Sequence, residues 1–115
     1  MYEHIDHLYP KSMFTEKVLN NLDFLKNNPQ LKEFYSDKKN WNTLGNLQLL
    51  NSAENESKND ERLSSWLLRK PEYKSTIIVP KDVNGNDIFG DNQFKEFVLG
   101  RRKLLCQILK EKTTF

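Results

Sequence analysis

The 115-residue sequence contains a single cysteine, Cys106, and no apolar run that approaches the length of a membrane span. One cysteine excludes a disulfide framework within the chain and a conventional cysteine zinc site. The first residues, MYEHIDH, lack the basic and apolar pattern of a signal peptide. We therefore expect a cytoplasmic domain that does not enter a membrane.

Neither sign of charge predominates, since 18 basic and 16 acidic residues give a net charge of +2. Such a balance neither requires nor excludes a nucleic-acid partner, because clustering of charge matters more than the total. Hydrophobic residues make up 37% and charged residues 30% of the chain, which is a globular composition. A chain of this length is expected to form one domain, residues 1–115, around a single core.

Two short segments have extended character. Residues 2–10 are predicted to be extended, with Ile5 and Leu8 facing inward. Gly45 marks a bend before a second extended segment at residues 47–50.

Helical spacing of apolar residues predicts most of the remaining elements. The first is a helix over residues 18–25 with Thr15 as its cap, and a short helix follows from Pro29. A short helix capped by Asn51 or Ser52 comes next, and then a helix around residues 63–67 that stops near Pro71. The last helix starts at the cap Asp91 and carries Arg101 on its apolar stripe. The segment TIIVP, residues 76–80, is predicted to be buried and extended, and the turn formers after it predict a loop. The sequence therefore predicts an α+β domain that is mostly helical.

Polar residues in two of these segments would meet if the extended segments pair. Asp6 and His7 lie in the sequence DHLYP, while Asn55 and Lys58 are three apart and would share one face of the short helix that follows the second extended segment. If that helix folds over the hairpin, we expect Asp6, His7 and Asn55 to converge. Carboxylate and amide oxygens suit Mg²⁺ or Mn²⁺, and a histidine can accept a proton from water near neutral pH. These residue types suit metal-assisted phosphodiester hydrolysis.

The same segments resemble the HNH endonucleases, or ββα-metal nucleases, whose usual pattern is DH-x-x-P followed by NL-x-x-L-C-x-x-C-N-x-x-K. DHLYP and NLQLLNSAENESK match this pattern at the same internal spacing. The resemblance implies a small hairpin-plus-helix core in which His7 is the general base and Asp6 and Asn55 bind a divalent metal. It also implies that Asn46, the middle residue of the motif, braces the loop that carries the base.

The two cysteine positions of the zinc-stapled pattern are occupied by Asn51 and Glu54. Since Cys106 is the only cysteine, we predict that the domain has no structural zinc and that its long helices hold the fold together instead.

Basic residues offer candidates for phosphate binding. Lys58 could pair with a phosphate as a point charge, or could belong to a solvated helix face. The cluster Arg101–Lys103 could also contact phosphates. Because Arg101 falls on an apolar stripe, we favour a structural role for it, either paired with a buried acid or bracing the hairpin. Arg102 is retained as a candidate phosphate ligand.

A narrower resemblance rests on the segments DHLYPKSMF, NLQLLNSAENESKND, SSWL and FKEFVLGRRKLL. Together they resemble the C-terminal nuclease domain of GmrSD-type restriction enzymes, in which a ParB-like nucleotide-hydrolysing domain precedes it. The resemblance implies a Mg²⁺- or Mn²⁺-dependent DNA endonuclease from a bacterial restriction or phage-defence protein. It also implies that this chain is the C-terminal part of a larger protein.

Two other functions remain open from the sequence. The chain could be a nucleic-acid-binding module that keeps the HNH fold without cutting, or a helical interaction domain in which DHLYP is only an ordered terminus. His4, the other histidine, would lie on the same strand face as Asp6 and could be a ligand or an orienting neighbour, but we favour a solvated side chain because it matches no motif position.

Overall fold

A computed structural model describes residues 3–113, apart from the side chains of Glu3, Ser52, Glu56 and Thr113. Strand β1 (Glu3–His7) pairs with strand β2 (Leu47–Asn51) in an antiparallel hairpin whose register places His7 opposite Leu47. The predicted pairing of the two extended segments is therefore confirmed. Residue 2, which the prediction included, lies outside the described residues.

Helices make up most of the described chain. They are α1 (Glu16–Asn20), α2 (Asp23–Lys26), α3 (Pro29–Ser36), α4 (Lys38–Trp41), α5 (Ser52–Lys58), α6 (Leu63–Arg69), α7 (Lys74–Ile77) and α8 (Phe94–Thr113), with 3₁₀ turns at Lys11–Phe14, Leu44–Asn46, Pro71–Tyr73 and Asp91–Gln93. The α+β class with a high helix content is confirmed. No helix in the described range is both long and apolar enough to cross a membrane.

The hairpin has one covered face and one exposed face. Leu8 is fully buried, as predicted, and so is Leu50 of β2. The prediction that Ile5 faces inward is wrong, because its side chain is 71% exposed. Successive residues of a strand point to opposite faces, and Ile5 pairs with Leu49, which is 54% exposed, on the face opposite to that of the buried Leu50.

The predicted helix over residues 18–25 is divided into α1 and α2. Thr15 caps α1 as predicted, with its hydroxyl accepting a hydrogen bond from the Val18 N–H at 3.4 Å. Leu22 then adopts an extended conformation between the two helices. The buried side chains of Leu19, Leu22 and Leu25 are three residues apart, whereas an α-helix repeats every 3.6 residues. The break lets all three leucines remain in the core.

The TIIVP segment is not extended throughout, so that prediction is wrong. Ile77 ends α7, and Ile78 has a left-handed backbone with φ of 55°. The physical reason lies in α8, where the buried Arg101 donates from Nε to the carbonyl oxygens of Ile77 and Ile78 at 2.9 and 3.3 Å. Arg101 thus supplies donors to carbonyls that a helix leaves unpaired at its C-terminus.

Asp91 does not cap α8 as predicted. It begins a 3₁₀ turn that leads into the helix, and its carboxylate accepts hydrogen bonds from Arg62 and Ser64, both at 2.8 Å. These contacts join α6 to the start of α8, so Asp91 connects two helices instead of capping the N-terminus of α8.

The core lies where the DHLYP segment meets α8. The Tyr9 ring packs edge-on against Phe94 and Phe97, with centroid separations of 5.1 and 5.0 Å. Gly45, just before β2, packs so closely against α8 that a Cβ atom there would collide with the Val98 carbonyl oxygen. The absence of a side chain at Gly45 therefore lets the hairpin approach α8.

Candidate functional site

Asp6 and Lys58 form an ion pair beneath the hairpin. The Lys58 Nζ lies 3.2 Å from the Asp6 Oδ2, and the two side chains are 0% and 19% exposed. Lys58 also donates to the carbonyl oxygens of His7 at 3.2 Å and Glu61 at 3.5 Å. Burial lowers the pKa of Lys58, while the Asp6 carboxylate acts in the opposite direction. The alternative that Lys58 belongs to a solvated helix face is wrong.

One oxygen of Asp6 has no hydrogen bond. Its Oδ2 is buried, and within the described part of the chain its close contact with Lys58 lacks hydrogen-bond geometry. The side chain of Asn55, which is half-buried on α5, also makes no hydrogen bond to another described residue. This oxygen is also the one that pairs with the Lys58 ammonium, so a metal ion bound by Asp6 would share the carboxylate with Lys58.

Acidic and histidine side chains do not gather around Asp6. Among the described side chains, no group of three or more His, Cys, Asp or Glu residues is arranged to hold a metal ion. Among the described residues, a divalent cation at this position would therefore have at most two His, Cys, Asp or Glu side chains as ligands. Amide, water or phosphate oxygens would complete its coordination.

His7 is the last residue of β1 and contacts the end of α4. Its Nε2 is 3.0 Å from the Asn42 Oδ1, and its ring meets the Trp41 ring edge-on with a centroid separation of 5.7 Å. Among the described residues, no hydrogen bond or ion pair joins the His7 ring to Asp6 or Asn55. The convergence of these three side chains remains a prediction.

Asn46 braces the loop that follows His7. It is fully buried, its Oδ1 accepts from the Tyr9 N–H at 2.8 Å, and its Nδ2 donates to the carbonyl oxygens of Tyr9 at 3.0 Å and Trp41 at 2.9 Å. Its own carbonyl accepts from the Leu8 N–H at 2.8 Å. This geometry is the bracing contact that the HNH resemblance implies, while a part for Asn46 in catalysis remains a prediction.

Asn51 and Glu54, which occupy the two cysteine positions of the zinc-binding HNH pattern, form two hydrogen bonds with each other. The Asn51 Oδ1 accepts from the Glu54 N–H at 2.8 Å, and the Glu54 Oε1 accepts from the Asn51 N–H at 3.0 Å. This reciprocal capping box starts α5 at the end of β2, as the predicted cap at Asn51 requires. It fixes the turn between the strand and the helix that carries Asn55 and Lys58.

Arg101 ties α8 to the start of β2. Its Nη1 donates to the carbonyl oxygens of Gly45 at 3.2 Å and Leu47 at 2.9 Å, and its Nη2 donates to the Gln48 Oε1. Gln48 is the residue opposite Asp6 in the hairpin. No acid faces Arg101 in the described chain, and burial lowers its pKa to about 10. The bracing role is confirmed, and the alternative of a buried acid is wrong.

Arg102, by contrast, is exposed. Its side chain forms no hydrogen bond or ion pair within residues 3–113. It passes close to Gly45, so its guanidinium can reach solvent near the start of β2. The phosphate-binding role predicted for it is untested but is compatible with this position.

Sequence reasoning missed Asn42 and the contact that Trp41 makes with His7. Trp41 stacks on Phe14 with ring planes 10° apart, and it also contacts His7. The dipeptide Trp41–Asn42 precedes the second motif by only a few residues, and this proximity is the one feature of the sequence that could have placed it near the site. Nothing in its spacing predicts a contact with a histidine 35 residues earlier.

The fold and this geometry define an α+β domain whose polar hairpin carries a candidate hydrolytic site. A family model for the C-terminal domain of GmrSD restriction endonucleases matches residues 1–97. The chain therefore belongs to this family, as the narrower resemblance implied, and its context is that of a restriction endonuclease. Comparisons with curated proteins and with solved structures give no match.

Proposed function

We propose that the domain is a divalent-metal-dependent endonuclease of the HNH type that hydrolyses phosphodiester bonds in DNA, with His7 as general base. The observation that carries the proposal is the pairing of the two motif segments as β1 and β2, followed at once by α5, which packs on the hairpin through Lys58 and Asp6. This order of elements is that of a ββα unit. Membership of a restriction-endonuclease family supports the same activity.

The residues around Asp6 fit a divalent cation. The carboxylate of Asp6 and the amide of Asn55 are hard oxygen donors, and a cation there would share the buried Asp6 Oδ2 with the Lys58 ammonium, which lies 3.2 Å away. Magnesium commonly binds one or two carboxylates together with substrate phosphates and water. When bound, Mg²⁺ or Mn²⁺ would stabilise negative charge on the phosphate and on the departing oxygen.

His7 supplies the base in this proposal. Its neutral imidazole takes a proton from water, the water oxygen bonds to phosphorus, and the bond from phosphorus to the 3′ oxygen breaks. Asn46 contributes by fixing the backbone of Tyr9, two residues beyond the base. In this proposal the exposed Arg102 contacts a neighbouring phosphate, whereas Lys58 would first have to leave its buried pair with Asp6.

The family also supports a wider context. We propose that the domain acts on DNA in the bacterial cytoplasm, as the C-terminal part of a restriction or phage-defence protein that carries a ParB-like nucleotide-hydrolysing domain before it. DNA specificity would then depend on both parts of such a protein.

Plasmid nicking with Mg²⁺ or Mn²⁺ tests the activity directly. Wild type is expected to nick with metal and not with EDTA, and His7→Ala is expected to lose cutting while its melting temperature stays close to that of wild type. His4→Ala is the matched control, because it removes the exposed second histidine of the same strand. Equal nicking by wild type and His7→Ala would contradict the mechanism.

The main alternative is a domain that binds nucleic acid without cutting it. Salt-sensitive DNA binding by wild type, with no nicking under either metal, would favour this alternative. Absence of both binding and nicking would favour the helical interaction domain.

A further inference from the structure

Asn42 is the only side chain within hydrogen-bonding distance of the His7 ring in the described chain. Its Oδ1 lies 3.0 Å from the His7 Nε2. An amide oxygen can only accept a hydrogen bond, so a neutral ring in this arrangement carries its proton on Nε2. The other ring nitrogen, Nδ1, then keeps a free lone pair.

Asn42 is exposed, so water competes for both partners of this hydrogen bond. The backbone around it is nevertheless fixed. The Asn42 N–H donates to the Lys38 carbonyl oxygen at 2.8 Å and thereby closes α4. Position 42 is therefore fixed by the helix, independently of the side-chain contact.

Asn46 links the segment that carries Asn42 to the segment that carries His7. Its side chain bonds the Trp41 carbonyl, one residue before Asn42, and both backbone groups of Tyr9, two residues after His7. Trp41 also packs its ring against the His7 ring. One buried amide thus sets the distance between the histidine and its acceptor.

We propose that Asn42 is a positioning residue that holds neutral His7 in the Nε2–H form and presents Nδ1 as the basic nitrogen. This inference rests on the proposed function of His7, but the tautomer can be measured without any activity. Choice of the tautomer by a hydrogen bond to the other nitrogen is a general property of histidine sites.

Nitrogen-15 NMR of the imidazoles is the decisive measurement. The chain has only two histidines, so the exposed His4 is an internal reference in every spectrum. At a pH at which the spectra show both histidines to be neutral in every variant, we expect the two nitrogens of His7 to be more fully divided into protonated Nε2 and unprotonated Nδ1 than those of His4. Asn42→Ala should bring the His7 shifts toward those of His4, and Asn42→Asp, which keeps an acceptor, should preserve them.

Asn40→Ala is the matched control. Asn40 precedes Asn42 by two residues, and its side chain donates to the Phe34 carbonyl at 2.9 Å without contacting His7. This variant should leave the His7 shifts unchanged. In the nicking assay, Asn42→Ala should lower kcat about tenfold with little change in KM, the loss expected for one ordinary hydrogen bond.

The outcomes separate the two proposals. Unchanged His7 shifts in Asn42→Ala would overturn the inference, whatever the nicking assay gives. Altered shifts with wild-type nicking would overturn the positioning role in the reaction. Altered shifts together with reduced nicking support the inference, while wild-type nicking by His7→Ala would overturn the function proposed for the domain.

Discussion

Lys58 and Asp6 form a buried ion pair of 3.2 Å, whereas Lys26 and Asp23 form one of 3.0 Å on the surface of α2. The two pairs have nearly the same distance but different surroundings. The Lys58 side chain is fully buried, and the Lys26 and Asp23 side chains are 55% and 92% exposed. The chain therefore contains its own comparison between a desolvated and a solvated lysine–aspartate pair.

We expect Lys58→Met to lower the free energy of unfolding by about 2–3 kcal/mol, because it leaves the Asp6 carboxylate without its counter-charge. The loss should be smaller than for a fully buried pair, since Asp6 retains 19% exposure. Lys26→Met should change stability by less than about 0.5 kcal/mol. Urea unfolding of both variants measures the difference, and equal effects would show that burial of the Lys58 pair has no energetic consequence.

Asn46→Asp tests the brace behind the base. A carboxylate at this position can accept from the Tyr9 N–H, but it cannot donate to the Tyr9 and Trp41 carbonyl oxygens, which lie 3.0 and 2.9 Å from the present amide nitrogen. We expect a loss of about 3 kcal/mol in unfolding free energy near neutral pH. The same change at the exposed Asn92 is the control, and a comparable loss there would contradict a specific role for Asn46.

Elements of the fold that rest on local chemistry follow from the sequence. The cap at Asn51 depends on Glu54, three residues away, and the cap at Thr15 depends on Val18, also three residues away. These two caps require no knowledge of distant residues. The pairing of β1 with β2, by contrast, joins residues as far apart as Glu3 and Asn51, and it was expected from the HNH resemblance.

Several features that depend on distant residues were wrong or missed. Burial of Lys58 requires Asp6, and the hydrogen bond of His7 requires Asn42, 35 residues further along the chain. Ile77 was predicted to be extended because TIIVP is rich in β-branched residues. Its helical state depends on donors from Arg101, 24 residues away, which override that local preference.

Substitutions of the two neighbouring arginines of α8 should change stability by very different amounts. Arg101→Met removes the donors that serve the carbonyl oxygens of Gly45, Leu47 and Ile77, so we expect a loss of about 2–4 kcal/mol. Arg102→Met should alter stability by no more than about 0.5 kcal/mol, because the side chain is exposed. Thermal and urea unfolding provide the measurement. A large loss in Arg102→Met would contradict this division of roles.

Arg102 should matter for DNA instead. If its guanidinium contacts one phosphate, Arg102→Met should weaken DNA binding similarly on all sequences and reduce the slope of log K against log salt concentration by about 1. Lys112→Met, at an exposed position near the end of α8, is the control for the general loss of one positive charge. An identical salt slope in wild type and Arg102→Met would exclude the phosphate contact.

Divalent metal should stabilise the domain through Asp6. A ligand that binds only the folded state adds RT ln(1 + [L]/Kd), which is about 1.4 kcal/mol at ten times Kd. We expect Mn²⁺ to raise the melting temperature of wild type relative to EDTA, and to have no such effect on Asp6→Asn. Because Asp6→Asn also breaks the pair with Lys58, the shift caused by metal is compared within each variant. Asp60→Asn, at an exposed site two residues beyond Lys58, should respond as wild type does. The same metal shift in Asp6→Asn would exclude Asp6 as a ligand, and no shift in wild type would leave the hairpin without the metal site that the proposed chemistry requires.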